Sequence, residues 1–419
     1  MKEVPLIDIK VTEIKKRYQQ GYYMLEELRK EANSPVVKAK IFNKEAIVIY
    51  GKDAAKIFYD PRNFKRKGAM PKLVLKTLFG KNGVQTLDGA QHHHRKAIFM
   101  DLMTPERMDE YHFIFDRNLA NALDQQHGQF ELFDLSKQVL FSSICEWAGI
   151  NLSGLTKEEV NQLADYQISM ISGTFTSPMD HIKGVENRKK SEKWAQELIT
   201  SARENPVLGK EDVALYAFAQ ATDLDGNLLS LEVAAVELLN IIRPTVALTV
   251  WAALMGHALF SRPDLHQQLK NDFLKLQDPF IQELRRYYPF FPMLPAIALK
   301  DVTVDGYLVP KDSWVILDLY GTNHDERTVE APDSFLIKRY LGKEKAISYE
   351  EEYEMIAQGG GDFRQMHRCA GEWITLHSLR VLSDQLVNRY EFSVPEQEWT
   401  IPVNQFPTYP KSRVLLYKE

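Results

Sequence analysis

Hydrophobic residues recur at helical spacing through most of the first 290 positions of the chain. The pattern changes at glycine and proline, which predicts breaks near Gly149, Gly154 and Ser177-Pro178. The predicted helices span residues 8–31, 52–59, 106 to about 202, 230–260 and 263–288. After Cys369, a further run with Trp373 and Leu376 on one face predicts another helix.

Strand-like segments are fewer and shorter. Residues 36–50 predict two strands around Asn43-Lys44, and the chain becomes strand-like again after Pro289. The later predicted strands cover residues 296–299, 302–309 and 314–319, and the last 30 residues are proline-rich and strand-like. The fold class is therefore mainly α with a smaller β-rich part. Because no repeat or linker is visible, one domain over residues 1–419 is predicted.

The amino-acid composition excludes several classes of protein for this chain. The 419 residues are 44% hydrophobic and 26% charged, which is typical of a soluble globular chain, and a net charge of −5 argues against nucleic-acid binding. With only Cys145 and Cys369, a disulfide framework or a cysteine-rich zinc site is excluded. The charged N-terminus does not resemble a signal peptide, and the apolar run 244–260 is too short and polar for a membrane span. We expect a cytoplasmic protein with no membrane anchor.

Cys369 lies between a glycine-rich loop and the predicted helix that follows it. The loop and its flank, residues 358–372, have the sequence QGGGDFRQMHRCAGE. A helix N-terminus favours the thiolate, the form that binds metals. From context alone, a small buried apolar residue is an equally good interpretation of Cys369.

Glu283 and Arg286 lie three residues apart on a predicted helix. Asp278 as N-cap, Pro279 at the first helical position and Pro289 after the end bound a helix of about three turns. By spacing alone, an exposed ion pair is the favoured interpretation of Glu283 and Arg286.

Three consecutive histidines, His92, His93 and His94, suggest a metal site. Consecutive helical residues point about 100° apart, so the three side chains cannot share one ligand face, and zinc is disfavoured. His92 and Lys96 do lie on one side of a helix and can donate to an anionic group.

Arg243 and Pro244 interrupt the most apolar predicted helix. Pro244 cannot donate to the carbonyl of Asn240, so the helix must kink or loosen. An unpaired guanidinium there would be costly. Arg243 therefore pairs with a structural carboxylate such as Glu237, reaches the surface, or binds a carboxylate that arrives with the substrate, and we favour the last.

Together, the Cys369 loop, the Glu283 and Arg286 helix, and the later segments 332–335 and 338–340 resemble the cytochrome P-450 superfamily. The resemblance implies the cytochrome P-450 fold and haem b with Cys369 as the iron ligand. It also implies that His92 and Lys96 lie near the haem propionates, with Arg66 and Tyr307 as further candidates, and that Glu283 and Arg286 are structural.

The Arg243-Pro244 pair replaces the acid–alcohol pair of ordinary members and resembles the bacterial fatty-acid peroxygenase branch. Segments 78–80, 102–105, 280–289, 317–325 and 394–397 are similar to that branch too, as are Asp362 and Gln365 in the cysteine loop. This implies hydrogen peroxide-dependent hydroxylation of long-chain fatty acids at the α or β carbon, or their decarboxylation to terminal alkenes. The substrate carboxylate, held by Arg243, would serve as acid and base, and no redox partner would be obligatory.

Within the branch, the best-known alkene-forming member has histidine in the segment that matches residues 84–86. Here the residue is Gln85, which cannot act as an acid, so the resemblance favours hydroxylation. The alkyl tail of the fatty acid would lie in an apolar channel. Candidate channel residues, each of which could equally be an ordinary core residue, are Leu78, Phe79, Met170, Phe291, Met293 and Leu294. The alternatives are a reductase-dependent monooxygenase and a non-catalytic haem sensor or fatty-acid carrier.

Overall fold

A computed structural model describes residues 2–173, 177–207, 210–343, 353 and 355–419. Helices dominate this part of the chain. The outer ends of the predicted helical regions 52–59, 106–202, 230–260 and 263–288 lie within about two residues of observed helix ends, whereas the short helices Lys72–Val74, Ala214–Ala219 and Leu319–Asn323 were not predicted. In chain order they are α1 Ile14–Gln19, α2 Met24–Ala32, α3 Lys52–Tyr59, α4 Lys72–Val74 continuing as a π-helical turn Leu75–Phe79, α5 Gly89–Leu102, α6 Pro105–Asp124, α7 Leu132–Trp147, α8 Lys157–Ser172, α9 Pro178–Glu204, α10 Ala214–Ala219, α11 Leu231–Val246, α12 Thr249–Phe260, α13 Pro263–Asn271, α14 Phe273–Tyr287, α15 Leu319–Asn323 and α16 Glu372–Asp384.

The strands of the described residues form one six-stranded sheet and two antiparallel two-stranded sheets. They are β1 Leu6–Ile7, β2 Val37–Ile41, β3 Lys44–Ile49, β4 Phe64–Lys65, β5 Gly128–Glu131, β6 Met293–Ala298, β7 Val302–Val304, β8 Tyr307–Val309, β9 Trp314–Asp318 and β10 Leu415–Lys418. The large sheet has the order β1-β2-β3-β9-β6-β4, with β3 parallel to β9 and β6 antiparallel to it. The two smaller sheets pair β5 with β10 and β7 with β8. The predicted fold class, mainly α with a smaller β-rich part, is confirmed.

The core is built around α11 and α12. α11 packs against α7 and α9, α12 packs against α7, and nearly every side chain of α12 is buried. Leu231–Phe260 is apolar and long enough to cross a membrane, but 89% of its most apolar window is buried within the protein. The apolar run is therefore a core helix, as its threonines and histidine predicted.

The helix loosens after Pro244, as predicted. α11 ends at Val246 and α12 begins at Thr249. Between them, Leu248 donates to the carbonyl of Thr245 and Val250 to that of Ala247, so i→i−3 bonds replace the regular i→i−4 bonds of the α-helix. The turn lies beside the cavity described below.

Two helix predictions were wrong in detail. The predicted helix 8–31 is divided at Gly21, which has φ +57° and packs against the backbone of Val403; a Cβ there would overlap the carbonyl oxygen. α14 starts six residues before Pro279, so Asp278 is not its N-cap and instead binds Arg380 at 2.8 and 3.0 Å.

Strand β5 was also missed, because it lies inside a stretch with helical periodicity. It pairs with β10 in antiparallel register, Glu131 opposite Leu415 and Gly128 opposite Lys418. Its partner is nearly 290 residues away, so local pattern gave no sign of the pairing.

Glu283 and Arg286 form a fully buried ion pair, so the interpretation as an exposed pair was wrong. Their charged atoms are 2.8 Å apart and both side chains are 0% exposed. Arg339 binds Glu283 at 3.0 Å, and Arg286 donates to the carbonyls of Pro332 at 2.8 Å and Ser334 at 3.1 Å. Because every charge has a partner, the network can remain ionised in the core and fixes the chain between β9 and the cysteine loop to α14.

Candidate active site

The cysteine loop is held against α14 and α16 by backbone and side-chain hydrogen bonds. The Cys369 amide donates to the carbonyl of Gln358 at 2.9 Å. Glu372, the first residue of α16, accepts from Arg285 at 2.5 Å and from Arg368 at 2.7 Å, and Arg285 also binds the side chain of Gln358 at 2.8 Å. The loop therefore has a fixed shape at a helix N-terminus, as predicted.

The Cys369 thiol faces an internal cavity. Its surface is accessible from the cavity, while protein atoms enclose it on the other sides. Burial raises the pKa of the thiol, and the amide of Gly371 opposes that effect. The amide at the helix N-terminus thus favours the thiolate, as expected, but desolvation is the larger effect, and a bound metal cation would be needed to hold the thiolate.

The cavity above Cys369 has a volume of about 290 Å³ and mostly apolar walls. The proposed tail residues that line it are Leu78, Phe79, Phe291 and Leu294. Met170 is fully buried in α8 and does not line this cavity. Met293 lines a neighbouring small cavity with Phe42 and Trp314 instead.

The cavity wall carries a cluster of donor side chains. Arg66, His92 and Lys96 all line it. Arg66 donates from its backbone amide to Asp88 at 2.8 Å and from its guanidinium to the carbonyl of Pro295 at 3.2 Å. Lys96 donates to the carbonyls of Met366 and Arg368, so it ties α5 to the cysteine loop.

The pKa values in this cluster are shifted by burial. Burial lowers the pKa of Lys96 to about 8 and that of His92 to about 2. At neutral pH, Lys96 therefore carries a charge that an anion would stabilise, while His92 is a neutral donor.

His367 was missed as a site residue, although it stands two positions before Cys369. Its ring stacks on His92 with centroids 3.9 Å apart, its Nε2 lies 3.5 Å from Asp88, and it lines the cavity. Tyr307 does not line the cavity: it lies in β8, where the amine of Lys2 packs over its ring. Tyr307 is therefore not supported as a haem-propionate contact.

The donor set fits a haem. A thiol faces the cavity, and Arg66, Lys96, His92 and His367 line it as a cluster of the cationic or N–H donors that two propionates need. His94, by contrast, bonds the carbonyl of Thr222 at 2.9 Å. Within the described residues, no group of three or more His, Cys, Asp or Glu side chains that could hold a metal ion occurs.

Arg243 lies in the cavity wall, 3% exposed, and is held by neutral oxygens. Its guanidinium donates to the carbonyl of Leu78 and to Oδ1 of Asn240, the latter at 3.2 Å. Among the ion pairs of the described residues, none joins Arg243 to a carboxylate. Burial, followed by the charge of Arg188, lowers the pKa of Arg243 to about 9, so the side chain is cationic at neutral pH.

Glu237 does not pair with Arg243, so that interpretation was wrong. It binds Arg95 at 2.8 Å and Nδ2 of Asn240 at 2.8 Å. Nδ2 of Asn240 also donates to Oε1 of Gln85 at 3.3 Å, at the turn Val84–Thr86. Asn240, which no sequence pattern marks as a site residue, thus connects Arg243, Glu237 and Gln85.

Solved structures with the same fold cover the whole chain. Cytochrome P450EX alpha (CYP152N1) with myristic acid is 35% identical, covering 100% of this chain and 99% of that chain with a TM-score of 0.91. Cytochrome P450 OleT F79A with arachidonic acid is 30% identical, covering 99% and 98% with a TM-score of 0.91. A mutant of cytochrome P450SP alpha (CYP152B1) is 33% identical, covering 97% and 98% with a TM-score of 0.90.

The chain belongs to the cytochrome P450 superfamily, in its CYP152 branch. The family model described as Cytochrome P450 matches residues 260–416, which include the Glu283 network and the cysteine loop of this P450. The predicted cytochrome P-450 fold and branch are thereby confirmed.

Curated relatives match this P450 only in part. A polybrominated aromatic compounds synthase of Pseudoalteromonas luteoviolacea is 30% identical over 119 residues, 28% of this chain and 23% of that protein. Cytochrome P450 1A1 of Oncorhynchus mykiss is 29% identical over 159 residues, 35% of this chain and 29% of that protein. The matched segments span less than a third of these relatives, so they support the superfamily and not a substrate.

Proposed function

We propose that this P450 is a hydrogen peroxide-dependent fatty-acid peroxygenase that hydroxylates long-chain acids at the α or β carbon. The observation that carries the proposal is the buried cation of Arg243, which lines the same apolar cavity as Cys369 and is held by neutral oxygens. Myristic and arachidonic acids in the structures of P450EX alpha and OleT have the same chemistry, a carboxylate on an alkyl chain.

Haem b is the proposed cofactor, with Cys369 as its iron ligand and Arg66, His92, Lys96 and His367 near its propionates. When bound, a thiolate-ligated haem would supply the oxidising chemistry, with hydrogen peroxide as the source of oxygen and oxidising equivalents. Since peroxide is already two electrons more reduced than dioxygen, no redox partner is obligatory. We place the whole of residues 1–419 in this one haem-thiolate domain, in the cytoplasm.

Arg243 would bind the substrate carboxylate through charge-assisted hydrogen bonds. A guanidinium can hold a carboxylate bidentately, and burial strengthens the pairing because little water competes. Fixing that end above Cys369 places the α and β carbons nearest to the reacting centre, with the tail among Leu78, Phe79, Phe291 and Leu294. Position then determines which carbon is oxidised.

The bound carboxylate would also move a proton. It can accept one from hydrogen peroxide and return it to the departing oxygen, which is acid–base catalysis by the substrate. Pro244 loosens the helix beside this place, and α11 offers Asn240, Arg243 and Pro244 to the cavity where an ordinary member has its acid–alcohol pair.

Gln85 favours hydroxylation over decarboxylation. Its Oε1 accepts from Asn240, so its NH₂ group is the part that can face a ligand as a donor. An amide cannot deliver a proton as an acid, so we expect hydroxy acids as the main products and terminal alkenes as minor ones.

The proposal is tested by mixing the haem-loaded protein with tetradecanoic acid and hydrogen peroxide, without reductase or nicotinamide, and identifying the products by mass spectrometry. 2- or 3-Hydroxytetradecanoic acid is the expected product. Turnover only with a reductase and NADPH would indicate a reductase-dependent monooxygenase. Acid binding without turnover in either mixture would indicate a haem sensor or carrier, and both results would overturn the proposal.

A further inference from the structure

Arg188 is a buried arginine on α9 that no step of the proposed chemistry uses. It is 2% exposed, and its Nε binds Glu192 at 2.7 Å on the same helix. Its Nη1 donates to the carbonyls of Thr77 at 3.2 Å and Leu78 at 2.8 Å, at the end of the π-helical turn Leu75–Phe79. The guanidinium therefore binds the segment that carries two cavity-lining residues, Leu78 and Phe79.

The carbonyl of Leu78 accepts from two guanidiniums. Arg188 approaches from α9, and Arg243 approaches from α11. A carbonyl oxygen has two lone pairs and can accept both bonds. The carbonyl that fixes Arg243 is thus itself fixed by Arg188, and the two cations are brought close together.

Gly80 allows this arrangement. It has φ +72°, and a Cβ at this position would overlap Nη2 of Arg188. Nη2 is buried and has no hydrogen-bond partner among the described residues. Because a buried N–H without a partner costs free energy, Nη2 is the part of the Arg188 guanidinium that contributes charge without a bond.

We propose that Arg188 is a positioning residue that orients Arg243 through the shared Leu78 carbonyl and raises the positive potential where the substrate carboxylate binds. This inference rests on the proposed function and specifies what holds the acid-binding residue in place. It couples α9 to the carboxylate end of the substrate, although Arg188 does not line the cavity.

Two variants of Arg188 separate its role in orienting Arg243 from the effect of its positive charge. Arg188→Lys keeps a cation but cannot reach both carbonyls in the same planar geometry. Arg188→Gln removes the charge that opposes ionisation of Arg243. The charged and titratable groups that act on Arg243 are Arg188 from α9, Glu237 from α11 and Cys369 from the cysteine loop, and only the first changes.

The experiment uses the haem-loaded full chain. Tetradecanoate binding is measured by calorimetry between pH 7 and 10, and the ratio of 2- to 3-hydroxy acid is measured by mass spectrometry. We expect both variants to change the product ratio by at least about threefold, since even about 0.65 kcal/mol between two transition states does so. In Arg188→Gln, the alkaline loss of binding should move to higher pH; in Arg188→Lys it should not.

Glu192→Gln is the matched control for orientation, because it keeps Arg188 and its bonds to Thr77 and Leu78. Its product ratio should match that of the wild type. Thermal melting identifies any variant that does not fold, and Arg188→Lys remains a test if the glutamine variant fails. An unchanged product ratio in folded variants would overturn the proposal, as would an equal shift in the control. If the wild type binds the acid but forms no product, the proposed function fails. The pH profiles of acid binding still test the link between Arg188 and Arg243 in that case. Equal profiles in the wild type and Arg188→Gln would overturn that link.

Discussion

Glu237 pairs with Arg95 and not with Arg243, although Glu237 and Arg243 lie on the same helix. The carboxylate is 0% exposed and its nearest cation comes from α5, at 2.8 Å. The side chain of Asn240 lies between the two: its Nδ2 donates to the Glu237 carboxylate, and its Oδ1 accepts from the Arg243 guanidinium. Arg243 is consequently positioned by neutral groups, and its charge remains for an anion in the cavity.

Replacing Arg243 by leucine should abolish acid binding and leave haem binding intact. Losing a buried charge-assisted pair should lower kcat/KM for tetradecanoic acid by at least about a hundredfold. Arg243→Lys keeps the charge without the planar fork and should retain part of the activity. Calorimetric affinity within about threefold of the wild type in Arg243→Leu would contradict the assignment.

Replacing Cys369 by serine should remove the thiolate-type absorption band of the ferrous carbon monoxide complex, because serine cannot supply the sulfur ligand. Cys145→Ala is the matched control, since Cys145 is the other free cysteine and is buried in the core away from the cavity. It should keep the band. A thiolate-type spectrum in Cys369→Ser would show that Cys369 is not the ligand.

Replacing Glu283 by glutamine should destabilise the fold strongly. Arg286 and Arg339 would lose their shared carboxylate in the core, which typically costs about 3 to 5 kcal/mol. Glu26→Gln removes a carboxylate from an exposed pair with Lys30 and should change the free energy of unfolding by less than about 1 kcal/mol. Urea denaturation of both variants measures the difference, and equal losses would refute the argument.

Gly21→Ala should destabilise the protein more than Gly226→Ala. Both glycines have positive φ, +57° and +82°, so each substitution carries a backbone cost of about 1 kcal/mol. Only at Gly21 does the new Cβ meet another chain segment, the backbone of Val403, whereas nothing lies within 4 Å at Gly226. A lower Tm for Gly21→Ala is expected, and equal Tm values would show that the backbone at Val403 yields without cost.

The free energy of unfolding should decrease as the pH falls below neutral, because buried histidines resist protonation in the folded protein. Burial lowers the pKa of both His257 and His324 to about 4, below the value of 6.5 for an exposed histidine. Between these values the unfolded chain binds protons that the folded protein does not. The stability present above pH 6.5 is therefore lost as the pH falls towards 4, by up to about 3 kcal/mol per histidine.

His257→Gln tests this titration, since His257 bonds the hydroxyl of Tyr288 at 2.7 Å and glutamine can keep a hydrogen bond without titrating. The variant should lose less stability than the wild type between pH 7 and pH 5 in urea denaturation. Parallel losses in the two proteins would exclude His257 as a source.

Local features made much of the architecture predictable. α3 runs from Lys52 to Tyr59 as expected, and the loosening after Pro244 follows from the missing amide hydrogen of proline. The placement of Cys369 before α16 follows from a glycine-rich loop and a helical apolar pattern. The same local rules misplaced the start of α14, where tertiary packing accommodates Pro279 inside a helix.

The sequence by itself determined the helical core, the cysteine loop and the presence of a cation in an apolar helix, because periodicity, proline geometry and side-chain charge are properties of neighbouring residues. Only the tertiary structure decided which groups meet: Glu237 with Arg95, His92 with His367, and Arg188 with Arg243 at one carbonyl. Each of these hydrogen bonds, ion pairs and ring contacts joins residues 110 to 275 positions apart, counting the two arginines from Leu78. They depend on how the elements pack and on the free energy of leaving a buried charge without a partner.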